Sequence, residues 1–407
     1  MKGVGLTIVL VVHWSLWWTN GTWDSLRALI NLVFRPIGVP NFITMSMIGL
    51  LLSFKAKEHV LGHREQLMRV LKRSFIFLVL GAINNIIYLG HNLQNEAIPI
   101  GGRIIYVIFS SNVLTFIGIA QIIMFYFKRL HFAAQVIAVV AIFAIYYLLI
   151  PSITTAVNKE FPIPVEKLTS SPIMIVYALF FFDNTMAPFI PYLAIPFLTC
   201  IVFSRLSTAL ARKPIDKLEL QTEARKVLLG SLIILVAGIV LGLQFTTGIY
   251  NELLFQQLVT RDTTHVWTLQ GYPMFLYVYH PSFILFSFGL NSFLTIVCFE
   301  IVDLHRHTNR GISIMATFGT YSLMTYLLNP IAVFFPIPLD HVGFIGLYTV
   351  FTLLFIAIFN TWDKKWQGKF TADWLVRKFS DTNITALLAS RMQQQRLKKK
   401  NQYTRIS

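Results

Sequence analysis

Ten apolar runs of membrane length dominate this chain and leave few architectures open to it. A hydrocarbon core about 30 Å thick is crossed by about 20 apolar residues in a helix, with a range of roughly 17–25. Runs of that kind fall near residues 3–19, 38–54, 74–90, 104–127, 132–150, 187–204, 227–243, 281–303, 312–335 and 342–361. A shorter stretch, Ile173–Phe182, cannot span alone and reads as a re-entrant or interfacial piece. Charged residues make up 13% of the 407 and hydrophobic ones 55%, whereas a soluble domain is about one quarter charged. The expected fold class is therefore all-α, a polytopic transmembrane helical bundle of about ten spans. Its localisation is integral to the membrane and multi-pass.

The basic residues test this ladder independently. With the N-terminus cytoplasmic, 28 of the 34 Lys and Arg fall in the inner set: Lys2, Lys55–Arg73, Lys128–Arg129, Arg205–Lys226, Arg306–Arg310 and the segment from Lys364 onward. The six outer ones are Arg27, Arg35, Arg103, Lys159, Lys167 and Arg261. This asymmetry follows the positive-inside rule, and ten spans return the C-terminus to the cytoplasm. The net charge of +16 is then a property of the inner face, suited to anionic membrane lipid or a polyanionic cofactor. No basic stripe interleaves with exposed aromatics, so nucleic acid is not an expected partner.

Two organisational units follow, a membrane domain over residues 1–363 and a basic cytoplasmic tail over 364–407. The first run reads as a retained helix rather than a cleaved signal, because Trp17, Trp18 and Asn20 stand where small residues would mark cleavage. Cys200 and Cys298 sit inside predicted helices and form neither a metal nor a redox pattern. The outer loops Pro151–Ile173 and Gln244–His280 are long. Loops of that length in a compact architecture are usually functional or disordered.

Chemistry has few candidates. His13 lies in the outer half of the first helix, where hydrocarbon excludes water and ionisable groups usually face a cavity or a partner. Its charge changes near neutral pH, which suits a general base. Asp183 and Asn184 stand at the outer entry of the sixth span, and His280 at that of the eighth. Asp24, Arg35 and His341 lie in outer loops. His13 with Asp183 would form a base and its orienting carboxylate. Quieter readings compete at each position: an interfacial His13, an Asp183 that caps a helix, a His280 that closes a turn before Pro281. Asn84, Asn85, Asn112, Asn291 and Asn329 lie within spans, where amides commonly bond between helices. Walker, nucleophile-elbow and HExxH sequences are missing.

Several segments, taken in order, resemble the integral-membrane acyltransferases. The opening "KGVGLTIVLVVHW" is similar to their first helix, a basic residue and Gly followed by an apolar run and a polar residue at its outer end. "NFITMSMIGLLLSFK" resembles the second helix and "NVLTFIGIAQII" the fourth. "APFIPYLAIPFL" resembles a Pro-aromatic motif, "YHPSFILFSFGLNSFL" a later helix, and "FGTYSLMTYLLNPI" the "SLxxYxxH" helix near the end. The nearest group is that of the heparan-α-glucosaminide N-acetyltransferase-like enzymes, over most of residues 2–335. Two departures stand out. Asn329 occupies the place of the final motif's His. No His lies between Trp14 and Asn41, where the lysosomal enzyme carries its catalytic one, so His13 is the local candidate.

The resemblance implies a membrane-embedded acyltransferase. It would move an acyl group, acetyl above all, from cytosolic acyl-CoA to a sugar or glycan acceptor on the outer or lumenal side. Acetyl-CoA is the expected donor and a homodimer the expected assembly. His13 and Asp183 are the catalytic candidates, with Asp24, Arg35, His280 and Asn329 around the substrate. Arg35 or Asn329 would steady the thioester oxygen. The alternative is a proton-coupled transporter or flippase for a glycan or lipid. A third reading is a non-catalytic scaffold descended from an enzyme.

Overall fold

The computed structural model describes residues 1–18, 33–58, 61–89, 112–156, 189–212, 215–243, 273–276, 280–330 and 337–380. Among them there is no β-strand; the regular structure is helical. In chain order the helices are α1 (Lys2–Trp18), α2 (Arg35–Ile37), α3 (Val39–Lys57), α4 (His63–Leu89), α5 (Val113–Phe127), α6 (Phe132–Ala156), α7 (Phe189–Tyr192), α8 (Ala194–Ala211), α9 (Lys217–Leu241), α10 (Pro281–Phe299), α11 (Arg310–Thr320), α12 (Ser322–Leu328) and α13 (His341–Trp366). A π-helical turn, Glu300–Leu304, extends α10. Residues 372–380 form a last helix, α14.

Six of these helices, joined across short breaks where needed, are long and apolar enough to cross a membrane, and a seventh candidate is bent. The burial pattern is what lipid demands. Asn41, Thr44, Asn291 and Ser292 are fully buried, while Ile233 and Val240 on α9 and Val350 and Leu353 on α13 are about 60% exposed. An apolar exterior this extensive is a lipid or partner surface. The described Lys and Arg residues, Lys2 and Arg35 excepted, cluster where Lys57 meets His63, Phe127 meets Phe132, Ala211 meets Lys217, Leu304 meets Arg310, and beyond Asp363. In an up-and-down bundle these turns share one end, the basic end.

Close backbone approach sets the packing. A Cβ on Gly238 would stand 2.3 Å from the Phe286 nitrogen, and one on Gly289 would stand 2.5 Å from that of Leu235. Each glycine thus faces the backbone of the other helix, where only a hydrogen fits. Gly81 does the same for α4 against Thr115 of α5. The amides follow the interhelical role: Asn112 caps α5 through Leu114 and Thr115, and its Nδ2 donates to Gly81 O at 2.8 Å and Asn85 Oδ1 at 2.6 Å.

The run expected as one span over 312–335 is broken. α11 and α12 meet at 76° around Tyr321, whose φ −97°, ψ 32° leaves the helix. The break frees the first N–H groups of α12, a cost unless they find acceptors. Asp373 of α14 supplies them, accepting from Leu323 N at 3.2 Å and Met324 N at 3.0 Å. The Tyr321 hydroxyl donates to Asp363 Oδ1 at 2.5 Å, and Gly368, at φ +72°, lets the chain turn against that hydroxyl. Residues 364–380 thus pack onto the bundle, with Val376 in its main core. The segment from 381 onward lies outside the described residues.

Candidate functional site

α1 packs against α3, α11, α12 and α13. Its apolar residues at Leu6, Val9, Leu10 and Trp14 are buried, while Val4, Ile8, Val11 and Val12 are half-buried, so one face packs more tightly than the other. Trp14 fixes its C-terminal half. Its indole packs against Trp18 at 5.0 Å, Phe351 at 5.5 Å and Phe355 at 5.9 Å. Its Nε1 donates to the Asn329 carbonyl at 3.0 Å, a bond fully inside the protein. An indole N–H in an apolar core needs such an acceptor.

His13 is the residue before Trp14 and is 6% exposed. It is one helical turn beyond Val9, whose side chain lies 3.5 Å from where a Cβ on Gly38 would stand. The imidazole is therefore carried on a buried stretch of α1, near the break between α2 and α3, and not on the lipid-facing exterior.

Asn329 is the second sequence candidate in this region. It closes α12 with its N–H on Tyr326 O and is 1% exposed. Neither Nδ2 nor Oδ1 has a hydrogen-bond partner among the described residues. An unsatisfied buried amide costs roughly 1–3 kcal/mol, so it is either a strain or a site. Through Trp14 the structure brings Asn329 to the helical turn that carries His13.

A polar layer lies deeper along α1. Gly5 approaches Asn41, whose Oδ1 is 2.9 Å from where a Gly5 Cβ would be. Asn41 Nδ2 donates to Asn291 Oδ1 at 3.0 Å, and Asn291 Nδ2 donates to Pro36 O and Ser287 O, both at 2.7 Å. Pro36 O is available because the helix breaks at Gly38, φ −66°, ψ −95°. Asn41 Oδ1, Thr44 Oγ1 and Ser292 Oγ have no partner among the described residues. Gly5 and His13 are eight residues apart, so this layer is about 12 Å from His13 along the axis. Asn41, the amide that completes the layer, was missed by the sequence reading. Its signal was available: an Asn directly after Pro40 at the head of an apolar run.

His280 is elsewhere. It caps α10, its Nδ1 accepting from Ser282 N at 3.3 Å and facing Ser282 Oγ at 2.5 Å. Its Nε2 meets the Tyr147 hydroxyl at 3.1 Å, with the Tyr146 and Tyr147 rings edge-on to the imidazole. Because Nδ1 accepts a backbone N–H, the neutral ring carries its proton on Nε2 and donates it to Tyr147. The turn-closing reading describes this geometry. Arg35 opens α2 and is half-buried. Asp24 and Asp183 lie outside the described residues, as does most of the two long loops expected on the outer side.

At the basic end, Lys128 lies over the Phe54 ring at 4.0 Å and the Phe125 ring at 5.2 Å, and donates to Gln66 Oε1 at 3.4 Å. Desolvation among these rings pushes its ammonium down to about 8. Comparison of the chain with known protein families, with curated proteins and with solved structures returned no match.

Proposed function

We propose that this protein is a membrane-embedded acyltransferase of about ten spans with both termini cytoplasmic, moving an acetyl or related acyl group from cytosolic acyl-CoA to a sugar or glycan acceptor on the far side. The observation that carries the reading is the Asn329 side-chain amide, buried and without a hydrogen-bond partner among the described residues, on a residue whose carbonyl accepts from Trp14, the neighbour in sequence of buried His13. In this reading His13 takes the proton of the acceptor amine or hydroxyl. The acceptor attacks the thioester carbonyl, the new C–N or C–O bond forms and the C–S bond breaks. The thiolate leaves and regains a proton from the imidazolium. Asn329 Nδ2 donates to the oxygen that gains charge, and preorganised donors of this kind are worth a few kcal/mol. Asp183 orients His13, Asp24, Arg35 and His280 contact the acceptor, and the basic end draws in the donor's phosphates. The bundle's contribution is positional, since donor and acceptor reach one base from opposite sides.

A second reading, a proton-coupled transporter or flippase, is favoured by the interrupted helices at Gly38, Ile190 and Tyr321. Broken helices with freed backbone groups build substrate sites in transporters. Purified protein in proteoliposomes separates the two. Acceptor-dependent thiol release that disappears in His13→Ala and persists in His280→Ala supports the enzyme. Uptake of a glycan or lipid without thiol release supports the transporter and refutes acyl transfer.

A further inference from the structure

The chain leaves α13 through a tight elbow. Gln367, Gly368 and Phe370 take φ of 51°, 72° and 67°. Trp362 Nε1 clamps the turn by donating to Lys369 O at 2.6 Å. Thr371 then caps α14, its Oγ1 accepting from Trp374 N at 3.2 Å. The apolar run of α13 ends near residue 361, so the elbow and α14 stand where hydrocarbon gives way to headgroups.

α14 has two faces. Ala372, Val376 and Ser380, four residues apart, turn toward the bundle, with Val376 and Ser380 buried and Val376 in the main core. Leu375 and Phe379, also four apart, are each 48% exposed, Trp366 is 46% exposed and Phe370 73%. These large apolar side chains are interspersed with exposed cations: Lys364, Lys365, Lys369, Arg377 and Lys378. The segment has two carboxylates, and the bundle engages both. Asp363 accepts from the Tyr321 hydroxyl and Asp373 from the first N–H groups of α12. The ammonium groups of Lys364, Lys365 and Lys369 have no hydrogen bond or ion pair among the described residues.

We infer that the elbow and the exposed face of α14 form a docking surface for anionic phospholipid of the adjoining leaflet, with headgroup phosphates on Lys364, Lys365 and Lys369 and the Trp366, Phe370, Leu375 and Phe379 side chains among the upper acyl chains. Cations beside large apolar side chains at the membrane edge match an anionic interface. A purely polar partner would leave the rings bare, and an uncharged lipid surface would leave the ammonium groups unmatched. The opposite face of α14 is already fixed to the bundle, so the surface is formed before lipid arrives. The inference rests on the membrane reading and is independent of acyl transfer.

The test uses the full chain in phosphatidylcholine nanodiscs doped with a phosphatidylglycerol that carries a photoreactive group at its head. Peptide mapping is expected to place the label on residues 364–380. Unlabelled phosphatidylglycerol is expected to compete at least about tenfold better than phosphatidylcholine, each juxtamembrane cation being worth roughly fivefold. In Lys364→Gln/Lys365→Gln/Lys369→Gln that preference is lost, while a chain-end probe still labels lipid-facing α9. In Lys217→Gln/Arg225→Gln, at the start of α9, the preference is kept. Label confined to the other basic turns overturns the inference, and so does equal competition by phosphatidylcholine. Loss of the preference in the α9 variant also overturns it, since the attraction would then belong to the basic end as a whole. Displacement of the label by coenzyme A overturns it as well, because the surface would then be the donor's.

Discussion

Asp373→Leu strips the acceptor from the broken span. The 76° bend at Tyr321 leaves α12 without a cap of its own, and Tyr321 offers no side-chain bond to it. Asp373 accepts two N–H groups, at 3.2 and 3.0 Å. A hydrogen bond to a charged acceptor is worth roughly 1.5–3 kcal/mol net, and an N-cap about 1. Against this stands the burial of the carboxylate, which raises its pKa above the ordinary value. The balance is a loss of about 2 kcal/mol, close to thirtyfold in the folded ratio. Asp373→Asn keeps an acceptor oxygen for these N–H groups, so it is expected to lose less than the Leu variant. Denaturant titration of the purified protein in micelles, followed by tryptophan fluorescence, measures both. Equal stability of the Leu and Asn variants would show that the N–H contacts do not hold α12.

The same carboxylate gives a pH signature. Its raised folded pKa means that the native chain binds the proton more tightly than the unfolded one, so stability falls as pH rises from the ordinary carboxylate range through the raised value. Asp373→Asn lacks this fall, and the wild type is expected to lose ground to it across that window in paired unfolding curves. Gly238→Leu drives a side chain into the Phe286 backbone; a loss of about 3 kcal/mol is expected, and an unchanged unfolding midpoint would contradict the α9–α10 contact. Asn291→Leu removes the bonds to Asn41, Pro36 and Ser287 and is expected to cost about 1–2 kcal/mol, the upper range for polar contacts between membrane helices. A stabilised variant would count against the layer.

Hydropathy located the helices because a bilayer reads composition over about 20 residues; α3, α10 and α13 lie close to their expected spans, and α9, Lys217–Leu241, begins well before its own at 227. It could not locate the break at Tyr321. Residues 312–335 carry no charge to mark it, and the carboxylate that makes the break tolerable arrives from position 373. The polar layer was half legible: Asn291 stands out within its span, but its partners, the Asn41 side chain and the Pro36 carbonyl, come from about 250 residues away. The chain from Tyr147 through His280 to Ser282 was invisible for the same reason. Histidine rarity drew attention to His13, which the structure buries on α1. Its pairing with Asp183 depended on a contact that lies outside the described residues.

The most direct measurement of the central claim is thiol release from acetyl-CoA by the reconstituted protein, with a panel of amine- and hydroxyl-bearing sugars as acceptors. The expected result is acceptor-dependent release that falls at least about a hundredfold in His13→Ala and more modestly in Asn329→Leu, with both variants folded. Full activity in His13→Ala would contradict the assignment of the base, and release unaffected by any acceptor would contradict acyl transfer itself.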